Sequence, residues 1–166
     1  MMSGLNTVKN TDYHRAVSAD RQAARVESWP LPALLRAARA VFAARIGQAL
    51  EGAGFDDLPA NGPYVLGAIS RTGAPLAVVI RQLGVSKQSA GQLVDALVAH
   101  GYLDRNVDPE DRRRLVVVLT ERGEAAAAVI RDAVEGVEAE LAERAGTGNL
   151  RNTRRTLAAL IELGLG

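Results

Sequence analysis

The stretch SKQSAGQLVDALVAHGYLDRNVDPEDRRRLVVVLT, residues 86–120, decides the fold. Apolar residues recur in its first half at three- and four-residue spacing, as on one face of an α-helix. Ser86 before this run and Gly101 after it are typical of helix ends. In the second half, apolar and polar residues alternate before a Pro-containing turn, and a run of apolar, mostly β-branched residues follows the turn. We therefore predict a helix from Ser86 to about His100, followed by a β-hairpin.

Another helix is predicted directly before this stretch, over residues 75–83. Pro75 suits a first helical turn, and Gly84 ends the segment. Its apolar stripe consists of Leu76, Val79, Ile80 and Leu83. Two helices joined by a tight turn and followed by a hairpin have the order of a winged helix-turn-helix.

Working outward, the same patterns predict helices for most of the chain. The predicted helices are 31–53, 61–70 with Asn61 as its cap, a long helix capped by Thr120 and running to 145, and 149–163. The fold class is mainly α with a small β-hairpin wing. We interpret residues 1–30 as an arm or tail and 31–166 as a single domain, with lobe 60–120 carrying the winged helix.

Composition excludes several classes of function. The chain has no Cys and only two His, so thiolate chemistry and a zinc site are not expected, and no cofactor is predicted. No nucleophile, base and orienting group are spaced recognisably, which argues against an enzyme. No apolar run is long enough to span a membrane and no signal peptide is evident, so a cytoplasmic protein is expected. The net charge is +1, so any contact with nucleic acid depends on local clusters of Arg and Lys.

The helix that begins at Ser86 has a polar face suited to the major groove of DNA. Its core side is predicted to hold Ala90, Leu93, Val94, Leu97 and Val98, which leaves Gln88, Gln92, Asp95 and Ala99 opposite. Gln pairs with adenine, whereas Lys and Ser suit phosphate. Candidate DNA contacts are Ser86, Lys87, Gln88, Ser89 and Gln92. The alternative is an ordinary solvated helix face, and Asp95 would oppose DNA if it lay close to phosphate.

The hairpin carries a cluster of arginines. Arg105, Arg112, Arg113 and Arg114 surround its turn, from which a wing reaches an adjacent minor groove in other proteins. Asp111 is interpreted as the partner that orients Arg113. The alternative is a salt-bridged surface hairpin, because four acidic residues lie in the same segment.

These residues resemble the MarR (multiple antibiotic resistance regulator) family of winged helix-turn-helix transcription regulators. The resemblance covers about residues 31–163, and its most specific part is DRRRLVVVLT, residues 111–120. It implies a homodimer built from helices 31–53, 121–145 and 149–163, with each winged lobe on one half-site of a pseudo-palindromic operator in double-stranded DNA. It also implies that Arg113 enters the minor groove with Asp111 as its partner.

Many members of this family respond to small, often aromatic or phenolic ligands. Trp29, Phe42, Phe55 and Tyr64 are the candidate lining residues, although each also suits a core position. The hypothesis is a repressor released by such a ligand. Two alternatives stay open: a constitutive DNA-binding regulator, and a winged helix that binds proteins instead of DNA.

Overall fold

The computed structural model describes residues 26–59, 61–69, 74–75, 86–107 and 115–164, with only the backbone at residues 74, 75, 87 and 115. The chain divides into two compact units, residues 1–41 and 42–166. The described helices are α1 (Leu31–Gly52), α2 (Gly62–Ala68), α3 (Lys87–Ala99), α4 (Glu121–Ala145) and α5 (Thr147–Glu162), and the strands are β1 (Ala74–Pro75), β2 (Leu103–Val107) and β3 (Leu115–Leu119).

The predicted hairpin is confirmed and belongs to a three-stranded antiparallel sheet. Its strand order is β1-β3-β2, and Leu103 pairs with Leu119 while Val107 pairs with Leu115. The prediction for Pro75 was wrong, because Pro75 lies in β1 opposite Val116 and not in the first turn of a helix. A proline is tolerated there because β1 is an edge strand. Residues 76–85, which include most of that predicted helix, lie outside the described residues.

Residue preferences at the helix ends explain where α1 and α3 stop. After α3, the N–H of Tyr102 donates to Leu97 O at 2.9 Å and the N–H of Gly101 donates to Val98 O at 3.0 Å. This is the Schellman arrangement, and it requires the φ of +72° that Gly101 adopts. Gly54, with φ +81°, ends α1 in the same way. The predicted end of α3 at Gly101 is therefore confirmed, and α1 ends at Gly52, close to the predicted position 53.

Two details of the helix starts differ from the sequence predictions. Asn61 occupies the cap position of α2, but its side chain makes no capping hydrogen bond, and Pro63 in the first turn has no N–H to be capped. The last helix begins at Thr147, two residues before the predicted start, because Gly146 alone interrupts the helical path. Thr120 caps α4 as expected, since its side chain accepts the N–H of Gly123 at 3.0 Å.

The hydrophobic core lies within the second unit. Its largest fully buried side chain is that of Tyr102, at the junction between α3 and β2. Around it pack Ile46 and Leu50 of α1, Val65 and Leu66 of α2, Val94 and Leu97 of α3, Val117 of β3, and Ala126, Ala127 and Ile130 of α4. This core joins α3, the hairpin and the long helix α4, so it fixes the orientation of the hairpin and of α3 together.

Helical segments outside this core expose apolar side chains to solvent. Helix α5 has no buried residue, and Ile161 and Leu163 at its end are 64% and 82% exposed. In the first unit, Trp29 and Val41 are 46% and 54% exposed. None of the described helices has the length and apolar character required to cross a bilayer.

Candidate nucleic-acid interface

Helix α3 presents the polar face that the sequence predicts. Ala90, Val94 and Leu97 are 0% exposed, and Leu93 and Val98 are partly buried. On the opposite side Gln88, Gln92, Asp95 and Ala99 are exposed. Burial of one stripe holds the helix against the core, so the exposed glutamines are carried on a rigid support.

The start of α3 is fixed by its serines. Ser86 Oγ accepts the N–H of Ser89 at 3.1 Å, which satisfies one of the free donors of the first turn. The two hydroxyl oxygens lie 2.9 Å apart and share a further hydrogen bond. Ser86 is therefore a capping residue in this structure, and both hydroxyls lie at the exposed N-terminal end of the helix, where the helix dipole favours a phosphate.

An ion pair joins α3 to the first strand of the wing. The guanidinium of Arg105, on β2, donates to the carboxylate of Asp95, on α3. Because Arg105 neutralises Asp95, the acidic residue opposes a nearby phosphate less than the sequence alone suggests. Both side chains are more than a third exposed, so we expect a positional role with little effect on stability.

At the C-terminal end of α3, four side chains from three segments of the chain form a cluster that we call the Asp57 cluster: Asp57, His100, Tyr102 and Arg122. Asp57 accepts from Tyr102 Oη at 2.5 Å and from Arg122 Nη2 at 2.8 Å, and its second oxygen lies 3.2 Å from His100 Nδ1. Arg122 also donates to the carbonyl of His100 at 2.9 Å, and its guanidinium lies 4.5 Å from the centre of the Tyr102 ring. The cluster ties the C-terminal end of α3 to α4 and to the α1–α2 connection.

The electrostatics of this cluster favour an ionised carboxylate beside a neutral phenol. The hydrogen bond from Tyr102, followed by those of His100 and Arg122, lowers the pKa of Asp57 below its usual 3.8 against the opposing effect of desolvation. Burial, followed by the hydrogen bond to Asp57, raises the pKa of Tyr102 to about 12. Both shifts keep the cluster intact near neutral pH.

The raised pKa of Tyr102 predicts an alkaline loss of stability. Unfolded Tyr102 ionises near its usual 10.0, whereas the folded residue keeps its proton until about pH 12. Its contribution is therefore fully present below pH 10 and is lost as the pH rises through about 12. Urea denaturation across this range should show a smaller fall in the free energy of unfolding for Tyr102→Phe than for the wild type. The assignment would be contradicted if the free energy of unfolding fell equally steeply with pH in the two proteins.

A cavity of about 320 Å³ lies between α1, the connection after it, and α2. Phe55 and Tyr64, two of the predicted ligand residues, both line it. Phe42 and Tyr64 line a neighbouring, more open apolar cavity of about 460 Å³. Trp29, the fourth candidate, belongs to the first unit and is exposed.

The structure describes only part of the predicted DNA-contacting set. Ser86, Gln88, Ser89 and Gln92 lie on one exposed surface of α3, and Arg105 adjoins it through Asp95. Outside the description are the side chain of Lys87 and the residues Asp111, Arg112, Arg113 and Arg114.

Sequence reasoning missed the Asp57 cluster. The sequence places Asp57 between two predicted helices and His100 at the end of another, with no link between them. The partners of Asp57 are 43, 45 and 65 residues away along the chain, so no local pattern indicates the contact. The one available signal was Tyr102, a polar aromatic residue directly after a helix-ending glycine and before an apolar strand.

Comparison with known proteins shows what the winged segment resembles. Residues 56–114 match the model of the MarR family. The matched segment includes α2, β1, α3 and β2. No curated protein sequence matches the chain.

Solved structures extend the likeness to most of the chain. The transcriptional repressor CouR bound to a 23-mer DNA duplex has 23% identity and a TM-score of 0.63, with 80% of this chain and 92% of CouR covered. CouR from Rhodococcus jostii RHA1 bound to p-coumaroyl-CoA has 23% identity and a TM-score of 0.65, with 76% of this chain and 88% of CouR covered. The Mycobacterium tuberculosis MarR family protein Rv2887 in complex with p-aminosalicylic acid has 25% identity and a TM-score of 0.54, with 80% of this chain and 98% of Rv2887 covered. At these identities the likeness establishes the MarR-type winged helix fold.

Proposed function

We propose that this MarR-type regulator binds double-stranded DNA as a homodimer and reads a pseudo-palindromic operator. One observation carries the proposal: α3 buries an apolar stripe in the core and exposes Gln88 and Gln92 on a continuous polar face, directly before a β-hairpin. An α-helix of this kind fits the major groove, and glutamine side chains can read adenine there. The CouR structure with a DNA duplex gives a precedent in the same fold.

Within this proposal each candidate residue has a defined task. Gln88 and Gln92 contact base edges, and Ser86, Lys87 and Ser89 contact phosphate at the N-terminal end of α3. Arg105, held by Asp95, directs its remaining N–H groups toward the DNA backbone. For the wing, the family resemblance assigns the minor groove to Arg113 with Asp111 as its orienting partner, and the backbone nearby to Arg112 and Arg114.

Exposed apolar side chains on the last two helices support the proposed dimer. Leu160, Ile161 and Leu163 near the end of the chain are 41%, 64% and 82% exposed, and Leu141 of α4 is 39% exposed. A soluble monomer rarely leaves such neighbouring apolar side chains uncovered. We propose that α1, α4 and α5 form the dimer interface, as the family resemblance implies.

We further propose that the protein is a repressor released by a small ligand in the 320 Å³ cavity. A path from this cavity to the DNA-reading helix supports the idea. Phe55, in the cavity wall, lies 6.2 Å from Tyr102 between ring centres, and Asp57 two residues later binds Tyr102, Arg122 and His100 at the end of α3. A ligand that shifts the segment 55–57 thereby favours one orientation of α3 over another.

Selection of bound duplexes from a random pool tests the proposal. The full-length protein should enrich two inverted half-sites separated by about one helical turn, because each protomer of a dimer contributes one α3. Sedimentation of the same sample at micromolar concentration should give the mass of a dimer. A pool that shows no enrichment would favour the protein-binding alternative, and enrichment of single half-sites by a monomer would remove the dimer.

A further inference from the structure

The charges around the 320 Å³ cavity indicate which ligands it accepts. Glu51, from the last turn of α1, and Asp56, from the connection, are both exposed and both line the cavity. The lining residues in the described part of the chain include no Lys, Arg or His. The rest of the wall is mainly apolar: Ala43, Ile46, Leu50, Phe55, Leu58, Pro59, Pro63 and Tyr64, with Gly47.

The two carboxylates are not compensated within the described residues. Neither Glu51 nor Asp56 forms an ion pair there, whereas Asp57, the next residue, already binds Arg122 and His100. Arg45 of α1 forms an ion pair with Glu140, and neither of these residues lines this cavity. A ligand in the cavity therefore meets two negative charges that no cation of the described residues pairs with.

We propose that this cavity binds a small apolar compound that carries a cationic amine, and that it disfavours carboxylates. The apolar wall covers a ring, while Glu51 and Asp56 at the opening bind the ammonium group. Both carboxylates are exposed, so each contact has a modest effect on affinity, and the sign of the ligand charge matters most. This inference rests on the proposed ligand response and adds the class of ligand. It also adds a cationic amine to the aromatic or phenolic ligands that the family resemblance implies.

A matched series of three compounds tests the preference. Tyramine, 4-ethylphenol and 3-(4-hydroxyphenyl)propionate share the 4-hydroxyphenyl ring and a two-carbon chain, and at pH 7 they are a cation, a neutral molecule and an anion. Calorimetric titration into the full-length protein should give affinities in the order cation, neutral, anion. We expect about a threefold gain from the neutral compound to the cation, and about a tenfold difference between cation and anion.

Charge-neutral variants identify the source of the preference. In Glu51→Gln with Asp56→Asn, the three affinities should converge while 4-ethylphenol binds as to the wild type. The control Glu135→Gln with Glu143→Gln removes the same net charge from exposed positions of α4 away from this cavity, and it should keep the preference. Tighter binding of the anion, a preference that survives in the cavity variant, or binding of none of the three compounds would overturn the proposal.

Operator binding in the same samples separates this inference from the proposed function. Preferential binding of tyramine supports the amine site whether or not the ligand changes affinity for DNA. If tyramine binds and operator affinity stays constant, the ligand-released repressor is wrong while the amine site stands. If DNA binding itself is absent, the proposed function fails independently of the cavity.

Discussion

Replacement of Gly123 by alanine is expected to destabilise the protein strongly. Gly123 lies in the first turn of α4, where the chain passes directly over the end of α3. A Cβ atom at this position would lie 2.0 Å from the carbonyl oxygen of Tyr102, a distance that no side-chain rotation can relieve. That carbonyl also accepts the N–H of Thr120 at 3.1 Å, so its movement would disturb the junction of the hairpin and α4. We expect the free energy of unfolding to fall by at least about 2 kcal/mol.

Gly136 provides the matched control in the same helix. A Cβ atom there meets nothing within 4 Å among the described residues outside its own turn of helix, and alanine is the better helix former. Gly136→Ala should therefore leave stability unchanged or raise it by up to about 1 kcal/mol. Urea denaturation of both variants measures the difference. Equal stabilities would show that α4 does not approach Tyr102 as closely as described.

The second large effect concerns DNA binding, which Gln92→Ala and Arg113→Ala should weaken in different ways. Gln92 is exposed on α3 and is proposed to contact a base edge, so its loss should cost about 1–3 kcal/mol on the selected operator and relax the preference at one base pair. Arg113 is proposed to contact the minor groove and phosphate. Its loss should weaken specific and unrelated duplexes alike and reduce the salt dependence of log affinity by up to about one unit.

Fluorescence anisotropy at several salt concentrations distinguishes these outcomes once circular dichroism has shown that both variants are folded. Ala99, also exposed on α3 but apolar, supplies the control Ala99→Ser, for which we expect near wild-type binding. If both test variants bind the selected operator like the wild type, α3 and the wing are not the DNA-reading surface. The protein-binding alternative then becomes the better account.

The local elements could be predicted from the sequence because their signals are local. Ser86 and Gly101 mark the ends of α3, and alternation with β-branched residues marks the hairpin. The buried and exposed sides of α3 follow from 3.6-residue periodicity, and the structure confirms both. Pro75 was misplaced because proline suits both a first helical turn and an edge strand, and only pairing with Val116 distinguishes them.

The tertiary contacts could not be predicted in the same way. The Asp57 cluster joins residues that are far apart in sequence, and the pairing of Arg105 with Asp95 depends on how β2 leaves the end of α3. The acidic part of the cavity lining likewise appears only when Glu51 and Asp56 are brought into the same wall as the apolar residues. Each case depends on packing between elements, which periodicity and residue preference do not specify.

The ratio of specific to nonspecific DNA affinity tests the central claim most directly. It is measured by titrating the full-length protein into a labelled duplex that carries the selected inverted repeat, and into a duplex of the same length and composition with scrambled sequence, at one fixed salt concentration. The account predicts that the selected duplex binds at least about 1,000-fold more tightly, as is usual for sequence-specific regulators. Equal affinity for the two duplexes, or no binding to either, would contradict it.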